Sequence, residues 1–290
     1  MKLLNNVAFK FKALLFSGFL IASAGCVQEK PKTMENNTLT ASTHKAWVSL
    51  TVSESKRLIA KGIKVYPPVV ERMAKGTILV TKGTTNTYVA EELLDTELGS
   101  GDFVLGHILP DNERKLDRSN TRSEVVLVDG KEVETPYVLA MSRMEEGDIV
   151  FKGANVVNYE KGQAGVLIGH PTGGTTGNII PQIEKKRLRL IIPVGLEKCS
   201  NQDIDMLNEI TKLDKEDVEG KMPYVWSIKG ELFTEIEALK QFADVDVLHI
   251  ASGGIGGAEG AVSLGIFGTQ QEVEKALKVV NEVKGEPVFF

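Results

Sequence analysis

Short, nearly continuous runs of apolar residues that stop at Gly/Thr-rich loops constrain this chain more than any other feature. Thr77-Ile78-Leu79-Val80-Thr81 is followed by Lys82-Gly83-Thr84-Thr85-Asn86. Asp148-Ile149-Val150-Phe151 is followed by Lys152-Gly153-Ala154-Asn155, and Gly165-Val166-Leu167-Ile168 by the loop Gly169 to Gly177. Leu188 to Val194 is a fourth run, reached through a short helix from Ile179 to Lys185. Strands without polar alternation are buried on both faces, as in parallel sheets covered by helices. With the helical pattern of Tyr88 to Leu94 between them, these runs predict a Rossmann-like, mostly parallel α/β layer.

Elsewhere the pattern changes. Val125 to Val128, Asp129-Gly130 and Lys131 to Glu134 read as a hairpin on an Asp-Gly turn, an antiparallel edge or appendage. Beyond Lys221 the order reads strand (Tyr224–Ile228), helix (Glu231 to Ala243), strand (Val245 to Ala251), strand (Ala261 to Phe267), helix (Glu272 to Lys284) and strand (Pro287 to Phe290). Leu232, Ile236 and Leu239 share one helical face, and Val273, Ala276, Leu277, Val280 and Val283 another, which Gly285 ends. That order is βαββαβ, the ferredoxin-like unit. The expected organisation is a signal over residues 1–25, a tether over 26–45, an α/β domain over 46–220 and a ferredoxin-like domain over 221–290.

The N-terminus sets the expected location. Lys2, Lys10 and Lys12 precede an apolar run from Ala13 to Ala22, too short to span a bilayer but suited to a signal peptide. Ser23-Ala24-Gly25-Cys26 then resembles the lipobox of bacterial lipoproteins, with Ser23 where leucine is usual. The resemblance implies diacylglyceryl attachment, followed by acylation such as palmitate, at Cys26. It implies a protein held in the cell envelope, extracytoplasmic or periplasmic, with the membrane as partner through the anchor. The polar stretch from Gln28 to Lys45 cannot bury enough surface to order itself and reads as a tether, with folded sequence starting near Trp47.

Once Cys26 is acylated, Cys199 has no intramolecular partner, so the fold relies on its core, and Cys199 reads as a small buried apolar residue. Without the three signal lysines the chain has 31 basic and 39 acidic residues, a net charge of −8. That balance argues against nucleic acid as a partner. His44, His107, His170 and His249 are far apart and no Cys-x-x-Cys occurs, so no metal is expected. Neither a P-loop nor Gly-x-Gly-x-x-Gly after a strand is present, so no nucleotide cofactor is expected. No Gly-x-Ser-x-Gly elbow occurs.

Loops at the carboxyl ends of parallel strands share one edge, where ligands of such sheets bind. Glycine lets backbone approach a ligand, Thr and Asn supply polar groups, and helix N-termini favour anions. Candidate ligand-binding residues are therefore Lys82, Gly83, Thr84, Thr85, Asn86, Lys152, Gly153, Asn155, Thr172, Gly173, Gly174 and Thr175. His170 is the candidate acid or base, and a small anionic molecule the expected partner. Each loop taken singly is also an ordinary strand-to-helix connection. The run from Gly253 to Gly260 reads either as a plain β-β connection or as a flap or second anion nest.

The loops Lys82 to Thr87, Phe151 to Asn155 and Gly169 to Gly177, with their strands, resemble the ribose-5-phosphate isomerase and CoA-transferase-like superfamily over residues 70–200. In those isomerases a Gly-Thr-Gly-Ser-Thr type loop holds phosphate, a Gly-Ala-Asp-Glu segment supplies a carboxylate, and a Lys-Gly-Gly-Gly type loop follows. Here Asn155 and Val156 stand in place of that acid segment's Asp-Glu, and an amide is no general base. The resemblance thus implies anion binding, with the family's proton transfer lacking its usual acid. The functional expectation is a lipid-anchored protein that binds a small anionic or polyhydroxylated molecule. The alternative is a sugar isomerase- or lyase-like enzyme using His170 or an acid such as Glu160.

Overall fold

A computed structural model describes residues 44–99, 101–106, 108, 121–212, 219 and 223–289. Cys26, the signal and the tether to residue 43 lie outside the described residues, as does His107. In chain order the first elements are β1 (His44–Leu50), α1 (Val52–Val65), α2 (Pro67–Ala74), β2 (Thr77–Val80), α3 (Thr84–Leu94), β3 (Val125–Val128) and β4 (Lys131–Glu132). Then come α4 (Tyr137–Arg143), β5 (Ile149–Phe151), β6 (Val156–Asn158), β7 (Gln163–Ile168), α5 (Gly174–Lys186), β8 (Arg189–Pro193) and α6 (Ile204–Lys212). The last are β9 (Tyr224–Ile228), β10 (Glu231–Phe233), α7 (Glu235–Lys240), β11 (Asp246–Ser252), β12 (Val262–Gly268) and α8 (Gln270–Glu282).

The centre is a six-stranded mixed sheet in the order β10-β8-β5-β2-β3-β4. Its first four strands are parallel, and the Asp129-Gly130 hairpin adds β3 and β4 antiparallel at one edge. Burial on both faces explains the apolar runs. Ile78, Val80, Ile149, Phe151 and Ile191 enter a core shared with α1, α3, α7 and α8. Their strand neighbours Leu79, Val150, Leu190 and Ile192 enter a second core, on the side of α4 and α5.

Two features of α1 bear on the site. Its N-terminus is a capping box, in which Thr51 Oγ1 accepts from the Glu54 amide and Glu54 Oε2 from the Thr51 amide. Farther along, Gly62 packs directly on α7, where a Cβ would lie 2.6 Å from Ala238 Cα. This close approach seats the start of α7 against the Ser55–Lys56 turn of α1.

Several expectations are corrected. β7 does not join the parallel sheet; it is the middle strand of an antiparallel sheet, β6-β7-β9. The region after Lys221 is not a ferredoxin-like layer, because its strands serve three sheets. β9 pairs with β7, β10 with β8, and β11 and β12 form a third sheet with β1, 200 residues earlier. Ala41–Phe290 accordingly form one compact unit, with no boundary at residue 220. The helix expected from Glu231 is a strand followed by the six-residue α7, begun by a second capping box between Thr234 and Glu237. Finally, residues 286–289 form no strand; Phe289 packs its ring on Tyr88 at a centroid distance of 5.7 Å.

Candidate anion site at the carboxyl edge of the parallel strands

The carboxyl ends of β2, β5, β8 and β10 lie side by side. At β2, Thr81 donates its amide and hydroxyl to the Phe151 carbonyl, at 3.1 and 2.8 Å. Asn86, fully buried in the first turn of α3, reaches back to the same two strands. Its Nδ2 donates to the carbonyls of Thr81 at 2.8 Å and Phe151 at 3.2 Å. Its Oδ1 is buried and accepts no hydrogen bond. That oxygen faces Gly153, 3.8 Å from where a Cβ would stand, and the same Cβ would lie 3.6 Å from the Pro193 carbonyl. The ends of β2, β5 and β8 are thereby contiguous.

Lys152 follows β5 and is partly buried. Its amide donates to Ile191 at 3.1 Å, whereas its ammonium has neither an ion pair nor a hydrogen bond to a described residue. Burial, and secondarily the charge of Lys198, lower its pKa to about 8. After β8 the chain turns through Gly195 into the 3-10 turn Leu196–Lys198. A Cβ at Gly195 would meet Glu197 Oε2 at 1.8 Å, so a side chain there would displace the Glu197 carboxylate. Folded over this glycine, Glu197 buries Oε2 without a donor, and Lys198 Nζ stands 3.8 Å from Oε1.

Glu235, first residue of α7, is completely buried. Its two oxygens accept the Leu196 amide at 3.2 and 3.0 Å, and Oε1 also accepts the Ser55 hydroxyl. Burial, reinforced by Glu197, pushes its carboxyl up to about 8. Lys56, beside Ser55 on α1 and 8% exposed, is lowered to about 8 by burial and by Lys198, against the opposing pull of Glu197. The Lys56 Nζ lies 5.9 Å from the Phe289 ring centroid. Lys56, Lys152 and Lys198, the neutral Glu235 carboxyl and two buried acceptors without donors thus gather at the sheet edge that Lys82 also borders.

The structure divides the expected site. Lys82, Gly83, Thr84, Thr85, Asn86, Lys152 and Gly153 all lie at the ends of β2 and β5. Asn86 uses its donors on the backbone and offers only an acceptor. Asn155 is exposed and accepts the Leu167 amide at 3.0 Å, so it serves the β6–β7 pairing. The edge argument for His170, Thr172, Gly173, Gly174 and Thr175 does not hold, because β7 belongs to another sheet. His170 and Thr172 are exposed and contact each other, Nδ1 to Oγ1 at 3.0 Å. Gly173 caps α5 in the left-handed region and abuts Trp226. Glu160 is exposed in the β6–β7 turn. The nest expected near Gly253 is filled from within, by Glu259 accepting the amides of Gly256 at 3.0 Å and Gly257 at 2.9 Å.

Sequence reasoning missed Ser55, Lys56, Glu197, Lys198 and Glu235. One signal was available: Gly195 to Lys198 follows a run already read as parallel, so the same edge rule applies to it. Cys199 is exposed, not a buried apolar residue, and lies near acids that the sequence reading overlooked. Burial of the sulfur, with Glu235 and Glu197, raises its thiol to about 11. A separate surface groove bounded by Glu91, Glu92, Asp95, Glu97, Glu282 and Glu286 is acidic, and its Arg57 is already paired with Glu91, Glu92 and Glu286. It does not suit an anion. No family model matches the chain, and neither the curated proteins nor the solved structures contain a match to it.

Proposed function

We propose that this chain is a lipid-anchored, extracytoplasmic protein that binds a small anionic, hydroxyl-bearing molecule at the carboxyl edge of β2, β5, β8 and β10. One observation carries the reading: the unpaired Lys152 ammonium shares this edge with Lys198, Lys56 and two donorless buried oxygens, Asn86 Oδ1 and Glu197 Oε2. Buried charge and buried acceptors are costly unless partnered. An anion bearing hydroxyl groups supplies both partners, with a carboxylate or phosphate for the lysines and O–H donors for the two oxygens. The N-terminus of α3, with Thr84 and Thr85, adds backbone N–H groups at the same edge. The likeness of the loop at Lys82 to the phosphate-holding loop of the ribose-5-phosphate isomerase and CoA-transferase-like superfamily supports the same ligand chemistry. The lipobox-like Ser23 to Cys26 supports the anchor.

A thermal-shift titration with sugar acids, sugar phosphates and simple carboxylates tests the reading. A ligand should raise the melting temperature, and Lys152→Ala should weaken its binding by about 1.5–3 kcal/mol, the worth of a charge-assisted hydrogen bond. Absence of any stabilising anion, or equal affinity in Lys152→Ala, rejects it.

One observation favours a second reading, an isomerase or lyase on the same scaffold. Glu235, protonated at neutral pH, adjoins Glu197, whose free oxygen is buried. A carboxyl kept protonated by burial beside a second acid is an arrangement that acid–base chemistry uses. On that reading the base is Glu197, not the exposed His170 or Glu160.

A further inference from the structure

We propose that Lys152 binds carbonyl compounds covalently, its amine condensing with the aldehyde or 2-oxo group of a small molecule whose carboxylate or phosphate is held at the same edge. The proposal rests on the anion-binding reading and assigns chemistry to that site.

Lys152 has no carboxylate partner, although Lys56, Lys82, Glu197, Lys198 and Glu235 occupy the elements around this edge. A partly buried ammonium without a counter-ion is relieved by binding an anion or by losing its proton. Lys198 favours both, since its positive charge attracts the anion and repels the proton. With a pKa of about 8, roughly one Lys152 in ten is a neutral amine at pH 7, far more than for an ordinary exposed lysine. Desolvation beside a second cation is how proteins make a lysine nucleophilic. The neighbours are less suited: Lys198 stands 3.8 Å from Glu197, and Lys56 is covered by Phe289 and held charged in part by Glu197.

The step balances without a redox partner. The amine lone pair forms a C–N bond to the carbonyl carbon as the C=O π pair moves to oxygen. The nitrogen gives up a proton and the oxygen gains one, leaving a neutral carbinolamine. A further proton transfer to its hydroxyl releases water while the nitrogen lone pair closes the C=N bond. Glu235 is occupied by Ser55 and Leu196, so water at the partly exposed Lys152 carries these protons.

The test uses the full chain in detergent with glyoxylate, pyruvate or glycolaldehyde phosphate. Sodium cyanoborohydride reduces any imine to a stable secondary amine, which peptide mass mapping locates. Lys152 should be labelled at least ~10-fold faster than the exposed Lys45 and Lys131 with one or more probes, and excess inorganic phosphate should slow it. Lys152→Met should lose the adduct. Lys152→Arg, which keeps the charge, should retain anion-induced stabilisation without the adduct. Labelling of Lys152 no faster than Lys45 with all three probes, or labelling of Lys56 in its place, overturns the proposal. If anions still raise the melting temperature in that case, the covalent step alone fails; if they do not, the anion site fails with it.

Discussion

Replacing Glu235 by Gln should make the protein more stable at pH 8 and leave it nearly unchanged at pH 5. Glu235 is fully buried, and its carboxyl is raised from the ordinary 4.5 to about 8. The folded state thus keeps a proton that the unfolded chain releases above pH 4.5. The stability this group contributes is complete below 4.5 and is lost as pH rises to about 8. At ~1.4 kcal/mol per pH unit the loss is about 5 kcal/mol. Glutamine has nearly the same shape, cannot ionise, and keeps an oxygen for the Leu196 amide. Its new NH₂ must donate where the carboxyl accepted from Ser55, at a cost of about 1 kcal/mol. The net gain at pH 8 is then about 4 kcal/mol, or roughly 8–16 °C in melting temperature for a chain of this size. Lys56 and Lys152 do not mask it, because their lowered pKa values alter stability only between about 8 and 10.5. Urea titrations of both proteins at pH 5, 6, 7 and 8 measure the effect. A difference between wild type and Glu235→Gln that is constant across that series refutes the buried, protonated Glu235.

Two further outcomes follow from other groups. With its thiol raised to about 11, Cys199 should react with iodoacetamide at pH 7.5 roughly a hundred-fold more slowly than an ordinary thiol of pKa 9, despite its exposure, and Glu235→Gln should speed it; alkylation at the ordinary rate contradicts this. Cys26→Ser should move the protein from the membrane fraction to the soluble fraction on cell fractionation, and a variant that still partitions like wild type rules out the lipobox reading.

The parts of the fold that were legible are those that burial writes locally. Thr77 to Val80 and Ile149 to Phe151 read as central strands because both of their faces meet a core, so no polar alternation interrupts them. The Asp129-Gly130 turn gave the hairpin, since its two residues adopt the positive φ values of 48° and 74° that such a turn demands. What local pattern could not decide was partnership. Val166 and Ile168 are buried, as Leu190 is, yet their strand pairs antiparallel with β6 and β9. Leu232, Ile236 and Leu239 keep helical spacing, but Glu231–Phe233 finds an open edge beside β8 and becomes a strand there. Cross-strand pairing outweighs intrinsic preference in so short a segment. The pairing of β1 with β12 joins Trp47 to Gly265, a separation over which a local pattern carries no signal.

The site divides along the same line. Lys152 and the Lys82 to Asn86 loop were legible because their place follows from one rule, that carboxyl-end loops of parallel strands share an edge. Lys56 carries no such mark: in Ser55-Lys56-Arg57-Leu58 it reads as a helix-surface lysine, and only the packing of α1 over the edge buries it. Glu235 reads as an ordinary acid inside the helix expected over Glu231 to Ala243, and only the structure makes it the first residue of α7. Its role comes from three segments meeting, with Ser55 of α1 and Leu196 of the β8 loop both donating to a carboxyl that opens α7. Gly62 makes that meeting possible, since the α1–α7 contact leaves no room for a Cβ. The loops alone would make this edge a polar cradle. The charges brought by α1 and the β8 loop leave Lys152 without a counter-ion, and Glu197 and Asn86 hold acceptors without donors, so the edge is complementary to an anion that carries its own hydroxyl groups.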